Sequence, residues 1–526
     1  MSNIRLGFAP TRRSIFSAPD AIKYRGLTTD RLATVEQYRV FELTLPGTRA
    51  EGTFCQGTQC KTVQGFLSGE DRVSVRFMPE SVGEWEYRIA SDREETAGTF
   101  LCTRAAPENH GPVRVSDMGV SYADGNRFLS FGTTSYGWIH QPDALRAQTL
   151  HSLANSPFNK IRMLVFPKFM PYNNSEPRLF PFRRGEGGKW DIARPDFDFW
   201  DDLDRQILAL DGLGIEADLI LFHPYDRWGF AALSREENLA YLSYCVNRLG
   251  AYKNIWWSLA NEYDMVPGKT EEDWDAFGAR IAQLDSARHL LSVHNCCQPY
   301  PDRDWITHCS IQSSLCRQTL TWGWEYQKPV FIDECGYEGD IEFTWGNLSA
   351  FEMVHRFWMT VACGGWCTHG ETFYREDEIL WWGKGGQLRG KSVPRIAFLR
   401  NLLESLPGVP MVTTAASPLD PNGGDDMGMV GAAIRRMPEN SQRAFIAEML
   451  PMVFGNEQYR IYYLGRTCPA WLDVECPSEG TFTAEVIDVW DMIRTPAGMV
   501  SSTGRIALPA REGQAVLVQK TEVKHE

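Results

Sequence analysis

Hydrophobic positions change their period twice along the chain. Up to about residue 105 they alternate singly with polar ones in short runs such as Gln37–Leu45, Arg72–Phe77 and Glu84–Ala90, broken by turn residues such as Pro46-Gly47 and Ser81-Val82-Gly83. Alternation puts every second side chain on one face, so these runs predict strands buried on one side, and residues 1–105 read as a β-sandwich. Ala105–Pro112 leads out of it as a linker.

From 115 to 406 strand-like runs alternate with amphipathic helices, which implies a parallel sheet. The strands are Phe128–Thr133, Lys160–Phe166, Ala217–Phe222, Ile255–Ala260, Leu290–His294, Ile306–Gln312, the run closing at Glu334, and Gly364–Glu371. Helix faces show in Phe199, Leu203, Ile207 and Leu210, and helix starts in the capping boxes Ser234/Glu237 and Thr270/Asp273; Val393–Leu406 closes the series. Eight strand and helix pairs describe a (β/α)8 TIM barrel. From 408 to 526 the pattern reverts to strands, Phe445–Leu450, Tyr459–Leu464, Thr483–Trp490 and Gln514–Gln519, predicting a second β-sandwich.

Composition narrows the partners. The 526 residues suffice for three domains, and a net charge of −14 without a concentrated basic block argues against nucleic acid or anionic membrane. No apolar run reaches the roughly 18 to 20 residues that span a bilayer, and Met1–Arg13 lacks a signal-peptide core, so a soluble cytoplasmic protein is expected. Thirteen cysteines without a Cys-x-x-Cys pair read as reduced thiols, with a Cys55–Cys60 disulfide as the alternative. A homo-oligomer is left open.

The chemistry gathers at strand tips. The apolar run Ile255–Ala260 ends in Asn261-Glu262, and the run Val330–Asp333 ends in Glu334. In a closed barrel these tips face each other, and opposed carboxylates are what glycoside hydrolysis requires. A lone strand-end acid is more often a cap or a salt-bridge partner; the pairing of two, on strands four and seven, is what favours catalysis. Asp264, Asp333, Glu338 and Glu371 compete, with Glu371 assigned to substrate hydroxyls and Asp333 expected to point away from Glu334 by strand alternation. Among the tryptophans, Trp256 and Trp257 read as core, Trp228 and Trp366 as sugar-stacking candidates, and Trp381 and Trp382 as a cover for the pocket. His223, His294, His308 and His369 near strand ends raise a metal-dependent barrel hydrolase as a rival, but strand one lacks the His-x-His such a site wants. A carbohydrate-binding protein without catalysis is the other alternative.

Asn261-Glu262 on strand four and Glu334 on strand seven resemble the acid/base and nucleophile of the clan A retaining glycoside hydrolases. Arg162, His294 and Trp366 fall where that clan often carries an arginine, a histidine or tyrosine, and an aromatic. The sandwich–barrel–sandwich order, with Phe128–Trp138 opening the barrel, is similar to bacterial apiosidase-like and family 5 enzymes. His223 and His294 read from the residues as donors to sugar hydroxyls or as satisfied strand-end residues; the resemblance implies Glu262 as acid/base, Glu334 as nucleophile, Asn261 on the sugar 2-hydroxyl, and Arg162 keeping Glu334 ionised. It implies no cofactor and no metal. Tyr337 would orient the nucleophile, a departure from the clan's tyrosine on strand six, where this chain has Gln312. The expected function is a retaining exo-glycosidase acting on small glycosides or oligosaccharides, with its carboxyl groups about 5 to 5.5 Å apart.

Overall fold

A computed structural model describes residues 33–412, 427–439, 441–442, 445 and 452–521. At its centre eight parallel strands form one sheet: β1 Gly132–Thr134, β2 Lys160–Leu164, β3 Glu216–Phe222, β4 Ile255–Ala260, β5 Leu291–Ser292, β6 Cys309–Gln312, β7 Val330–Glu334 and β8 Trp366–His369. The hydrogen-bonded order is β5-β4-β3-β2-β1-β8-β7-β6. Its two ends meet in the parallel bridge between His294 and Ser310, which closes the sheet into a TIM barrel.

Both expected capping boxes form, at the heads of helices Arg235–Leu249 and Glu271–Leu284. One expected pair is incomplete: no helix follows β5, and residues 293–308 reach β6 as irregular chain. Two strands are shorter than the hydrophobic runs suggested. Asn159 takes the ladder bonds before β1, donating to the Leu129 carbonyl and accepting from the Phe131 amide, both at 2.8 Å. Thr307 does the same at β5, its hydroxyl engaging both the N–H and the C=O of Leu291. Side chains that satisfy backbone groups end a strand as surely as a turn does.

The barrel interior is aromatic at its base and ionic above. Trp256 and Phe331 lie beneath the Lys160 ammonium, which sits 5.1 and 5.0 Å from their ring centroids. Lys160 bonds Asp333 at 2.6 Å and Asp218 at 3.4 Å, and Arg162 Nε lies 3.7 Å from Asp218. Asp333 also accepts from Ser310 at 2.6 Å and Thr368 at 2.8 Å, so its carboxylate belongs to the interior and not to the mouth. The Lys160 charge holds Asp333 far below the usual carboxylate range, while burial and the Asp333 charge push Asp218 up. Trp257 points the other way, into the helical shell, and donates to Asp285 at 3.0 Å.

Two sheets precede the barrel, one of five strands and one of three, enclosing Phe54, Val75, Ile89 and Phe100. Cys55 and Cys60 are joined by a disulfide across one hairpin, which corrects the expectation that every thiol is reduced; the other cysteines form no disulfide. Arg76 fastens this part to the barrel, bonding Glu42 at 2.7 Å, Asp204 at 2.8 Å and the Arg248 carbonyl at 2.7 Å. A six-stranded and a two-stranded sheet follow the barrel, and one apolar core runs from the barrel helix Ala350–Ala362 into Phe454, Ile461, Ile487 and Leu517. The strand expected over Phe445–Leu450 lies, Phe445 apart, outside the described residues, as does the segment before residue 33. Among the described residues no helix is long and apolar enough to cross a membrane.

Lys160→Met would leave Asp333 buried beside an uncompensated charge deficit. We expect a loss of about 3 to 5 kcal/mol in urea unfolding followed by far-UV circular dichroism. A loss below about 1 kcal/mol, the scale of an exposed pair, would contradict this account of the interior.

Candidate active site

Glu262 and Glu334 emerge at the C-terminal rim of β4 and β7, and both are almost enclosed, at 5% and 7% exposure. The backbone turns sharply after β4: Glu262 sits in the left-handed region (φ 48°) before the turn Tyr263–Met265. A non-glycine residue held there stores strain, which is common where a side chain must be aimed. Asp264 secures the turn by accepting from the amides of Cys296 and Cys297 at 2.7 Å and Gln298 at 3.0 Å. It is a cap, not a competing catalytic acid.

Gln312, at the tip of β6, spans the two carboxyl groups. Its side-chain nitrogen lies 3.2 Å from Glu262 Oε1 and 3.1 Å from Glu334 Oε2. Laid end to end, those two legs bound the separation of the oxygens at about 6.3 Å.

The remaining donors divide unequally. Glu334 receives the Tyr136 hydroxyl and lies 3.4 Å from Arg162 Nη1, with the Tyr337 hydroxyl 3.3 Å from that of Tyr136. Glu262 receives the Tyr225 hydroxyl and the Asn261 amide at 3.2 Å. Asn261 is itself fixed by Arg162 Nη2 at 3.0 Å, so a single guanidinium orients both the asparagine and Glu334. Burial pushes the Glu334 carboxyl up, to about 8, against the lowering effect of the Tyr337 hydroxyl. His294 is enclosed and neutral, held well below its ordinary range by burial. Its Nδ1 accepts from the Glu262 amide at 3.5 Å, which leaves the proton on Nε2, 4.0 Å from Glu334 Oε1.

Other expected contacts lie elsewhere. Trp366 opens β8 instead of closing it, so it sits at the base of the barrel against Phe131, 6.0 Å between ring centroids. The aromatic wall of the site is Trp382, whose backbone carbonyl accepts from the Tyr136 amide at 2.8 Å. It packs edge-on against Tyr136 and near Tyr337 and Trp345. Trp228 is clamped in the outer rim, donating to Glu176 at 2.8 Å and packed on Phe169 and Phe180. His223 acts on Tyr225: its Nδ1 accepts the Tyr225 amide at 3.1 Å, and its Nε2 lies 3.3 Å from the Phe166 carbonyl. Tyr136, Tyr225 and Lys168 were not singled out from the sequence. Their signal is faint, a tyrosine just past β1 in Ser-Tyr-Gly-Trp and another in His-Pro-Tyr-Asp after β3.

Glu371, assigned to substrate hydroxyls, instead pairs with Glu338 behind the wall. Glu371 accepts from the amides of Arg389 and Gly390, and Glu338 from those of Lys391 and Ser392. Glu338, His369 and Glu371 bring ligand atoms within 4.8 Å of one another and could in principle hold a metal ion. The carboxylate oxygens are, however, already engaged by backbone amides, and Gly390 lies so close that a Cβ there would collide with both glutamates. The donor set fits a clamp on the strap that carries Trp381 and Trp382 better than a cation. Gly390→Val is therefore expected to free that strap, seen as new protease cleavage between residues 373 and 392. A digestion pattern identical to the wild type would contradict the clamp.

The Apiosidase-like catalytic domain family matches residues 117–410, and two domains of unknown function, DUF5060 and DUF5605, match 34–92 and 449–519. A crystal structure from Bacteroides vulgatus, described as a candidate glycoside hydrolase, is 31% identical over 93% of this chain and 100% of its own, with a TM-score of 0.82. A family 5 glycoside hydrolase from the same organism, 16% identical over 80% of this chain and 95% of its own (TM-score 0.60), shares the fold. No curated protein matches the chain. With its barrel matched throughout and two carboxyl groups at its rim, the chain belongs to the Apiosidase-like family and is a glycoside hydrolase.

Proposed function

We propose that the enzyme hydrolyses glycosides with retention, Glu334 acting as nucleophile and Glu262 as acid/base. The observation that carries this reading is the Gln312 amide nitrogen within hydrogen-bond reach of both carboxyl groups, which keeps the two facing oxygens within about 6.3 Å, short of the roughly 6.5 to 9.5 Å at which a water is held between them. The pair needs one proton; the Arg162 guanidinium, 3.4 Å from Glu334, favours the carboxylate there and works against the burial that raises this group's pKa, while Glu262 meets the Tyr225 hydroxyl and the Asn261 amide.

In the first step a Glu334 oxygen bonds the anomeric carbon as the glycosidic bond breaks, and Glu262 gives its proton to the leaving oxygen. In the second, Glu262 takes a proton from water, whose oxygen displaces Glu334 and releases the sugar. Asn261, held by Arg162, is positioned to bond the 2-hydroxyl. The near-complete enclosure of both glutamates supports action on a terminal sugar of a small glycoside or oligosaccharide. The family name supports testing apiosyl glycosides first. The division into units 1–105, 115–406 and 408–526 is part of the reading, supported by the three family matches.

Hydrolysis of an aryl glycoside panel provides the test. Glu334→Ala is expected to lose at least about a thousandfold in kcat and to regain turnover with azide, giving a glycosyl azide of inverted configuration. Full activity in both Glu334→Ala and Glu262→Ala would refute the assignment, and internal cleavage of a polymer would refute terminal action.

The pH profile adds a second check. The nucleophile must be ionised, so kcat/KM rises as pH rises through the Glu334 pKa. Burial raises that pKa, so the acid limb should lie well above 4.5. Tyr337→Phe removes a bond that favours the carboxylate and should move the limb up by about one pH unit. A downward move would contradict the role of Tyr337.

A further inference from the structure

Lys168 is a charged wall group that the two-carboxylate chemistry leaves unused. It follows β2 at the barrel mouth and is 4% exposed. Its ammonium lies 3.8 Å from the Tyr136 ring centroid, 4.2 Å from that of Tyr225 and 4.7 Å from that of Trp382. Tyr136 and Tyr225 are the tyrosines that donate to Glu334 and Glu262, so the ammonium stands between the two halves of the catalytic pair. Among the described residues no hydrogen bond or ion pair engages Nζ. The backbone around it is fixed nonetheless: the Asn173 amide donates to the Lys168 carbonyl at 3.0 Å, and the Phe169 amide to the Tyr225 carbonyl at 2.8 Å.

An ammonium has three donors and no acceptor capacity, and enclosing it without an acceptor is costly. Three ring faces return part of that cost by cation–π attraction but satisfy no N–H. A sugar ring is dense in acceptor oxygens. We propose that Lys168 is a substrate-binding residue, its ammonium donating to a hydroxyl oxygen of the sugar seated between Glu262 and Glu334 and so selecting glycones that carry a hydroxyl there. This rests on the glycosidase reading of the same pocket and adds to it the group that reads the sugar.

A proton follows the contact. Burial brings Lys168 down to about 7, opposed by the Glu262 charge and assisted by that of Arg162; neutral His223 and His294 complete the titratable groups facing it. Near pH 7 an oxygen that accepts from the ammonium favours the protonated amine, so sugar binding takes up protons.

The test is calorimetric binding of methyl glycosides and their monodeoxy analogues to Glu334→Ala and to Glu334→Ala/Lys168→Met, at pH 7 in two buffers of different ionisation enthalpy. Lys168→Met should weaken binding tenfold or more and abolish the proton uptake. One deoxy analogue should bind more weakly than its parent to the lysine protein but as well as its parent to the methionine protein. If Lys168→Met does not fold, Lys168→Gln takes its place. Equal affinity with unchanged proton uptake would overturn the proposal, as would a penalty from Lys168→Met that is the same for every analogue, the sign of a purely structural role. Either result, alongside a wild type that hydrolyses glycosides, leaves the glycosidase reading intact. A protein that neither binds nor hydrolyses any sugar overturns both.

Discussion

The site depends on an ionic layer locked inside the barrel. Lys160 and Arg162 from β2, Asp218 from β3 and Asp333 from β7 lie out of water, Lys160 meeting Asp218 on the adjacent strand and reaching across the barrel to Asp333. Most barrels fill this layer with branched apolar side chains. Here the filling fixes a cation whose far end reaches the rim. Arg162 is wholly buried, with Nε toward Asp218 and its two terminal nitrogens toward Asn261 and Glu334. A guanidinium is planar and rigid, so anchoring one edge sets the direction of the others. Asp218 thus bears on the rim through Arg162 without touching it.

The rim then differentiates two side chains of the same type. Glu334 stands over the guanidinium, and Glu262 sits in a strained turn, bonded by the Tyr225 hydroxyl. Gln312 bonds both of them, and Tyr136, Tyr225 and Trp382 wall the site. That wall is kept in place from behind, where Glu338 and Glu371 grip the strap from Arg389 to Ser392. Interior ions, rim and strap form one load path from the barrel to the carboxyl groups, and in a water-poor site such fixed dipoles act strongly on developing charge.

The barrel was legible because its signals are periodic and local: alternation, 3.6-residue faces and capping boxes survive without tertiary information. The two rim glutamates proposed as catalytic were legible because each follows an apolar strand. Trp366 was misplaced because the rule that strand-end aromatics line sites does not say which end, and β8 starts, not finishes, at that residue. Glu371 was misread because its partners are backbone amides some twenty positions away, and amides carry no sequence signature. Tyr136, Tyr225 and Lys168 escaped for a related reason. They lie in irregular chain after β1, β3 and β2, where no period exists and only the closed barrel brings them together.

The central claim is that Glu334 forms a covalent bond to the sugar. The most direct measurement incubates the enzyme with 2-deoxy-2-fluoroglycosyl fluorides and maps the labelled peptide by mass spectrometry. A single glycosyl increment on the peptide containing Glu334, absent from Glu334→Gln, is the predicted result. An increment on Glu262 instead, or an enzyme that turns over the parent glycoside with inversion and never becomes labelled, would contradict the account.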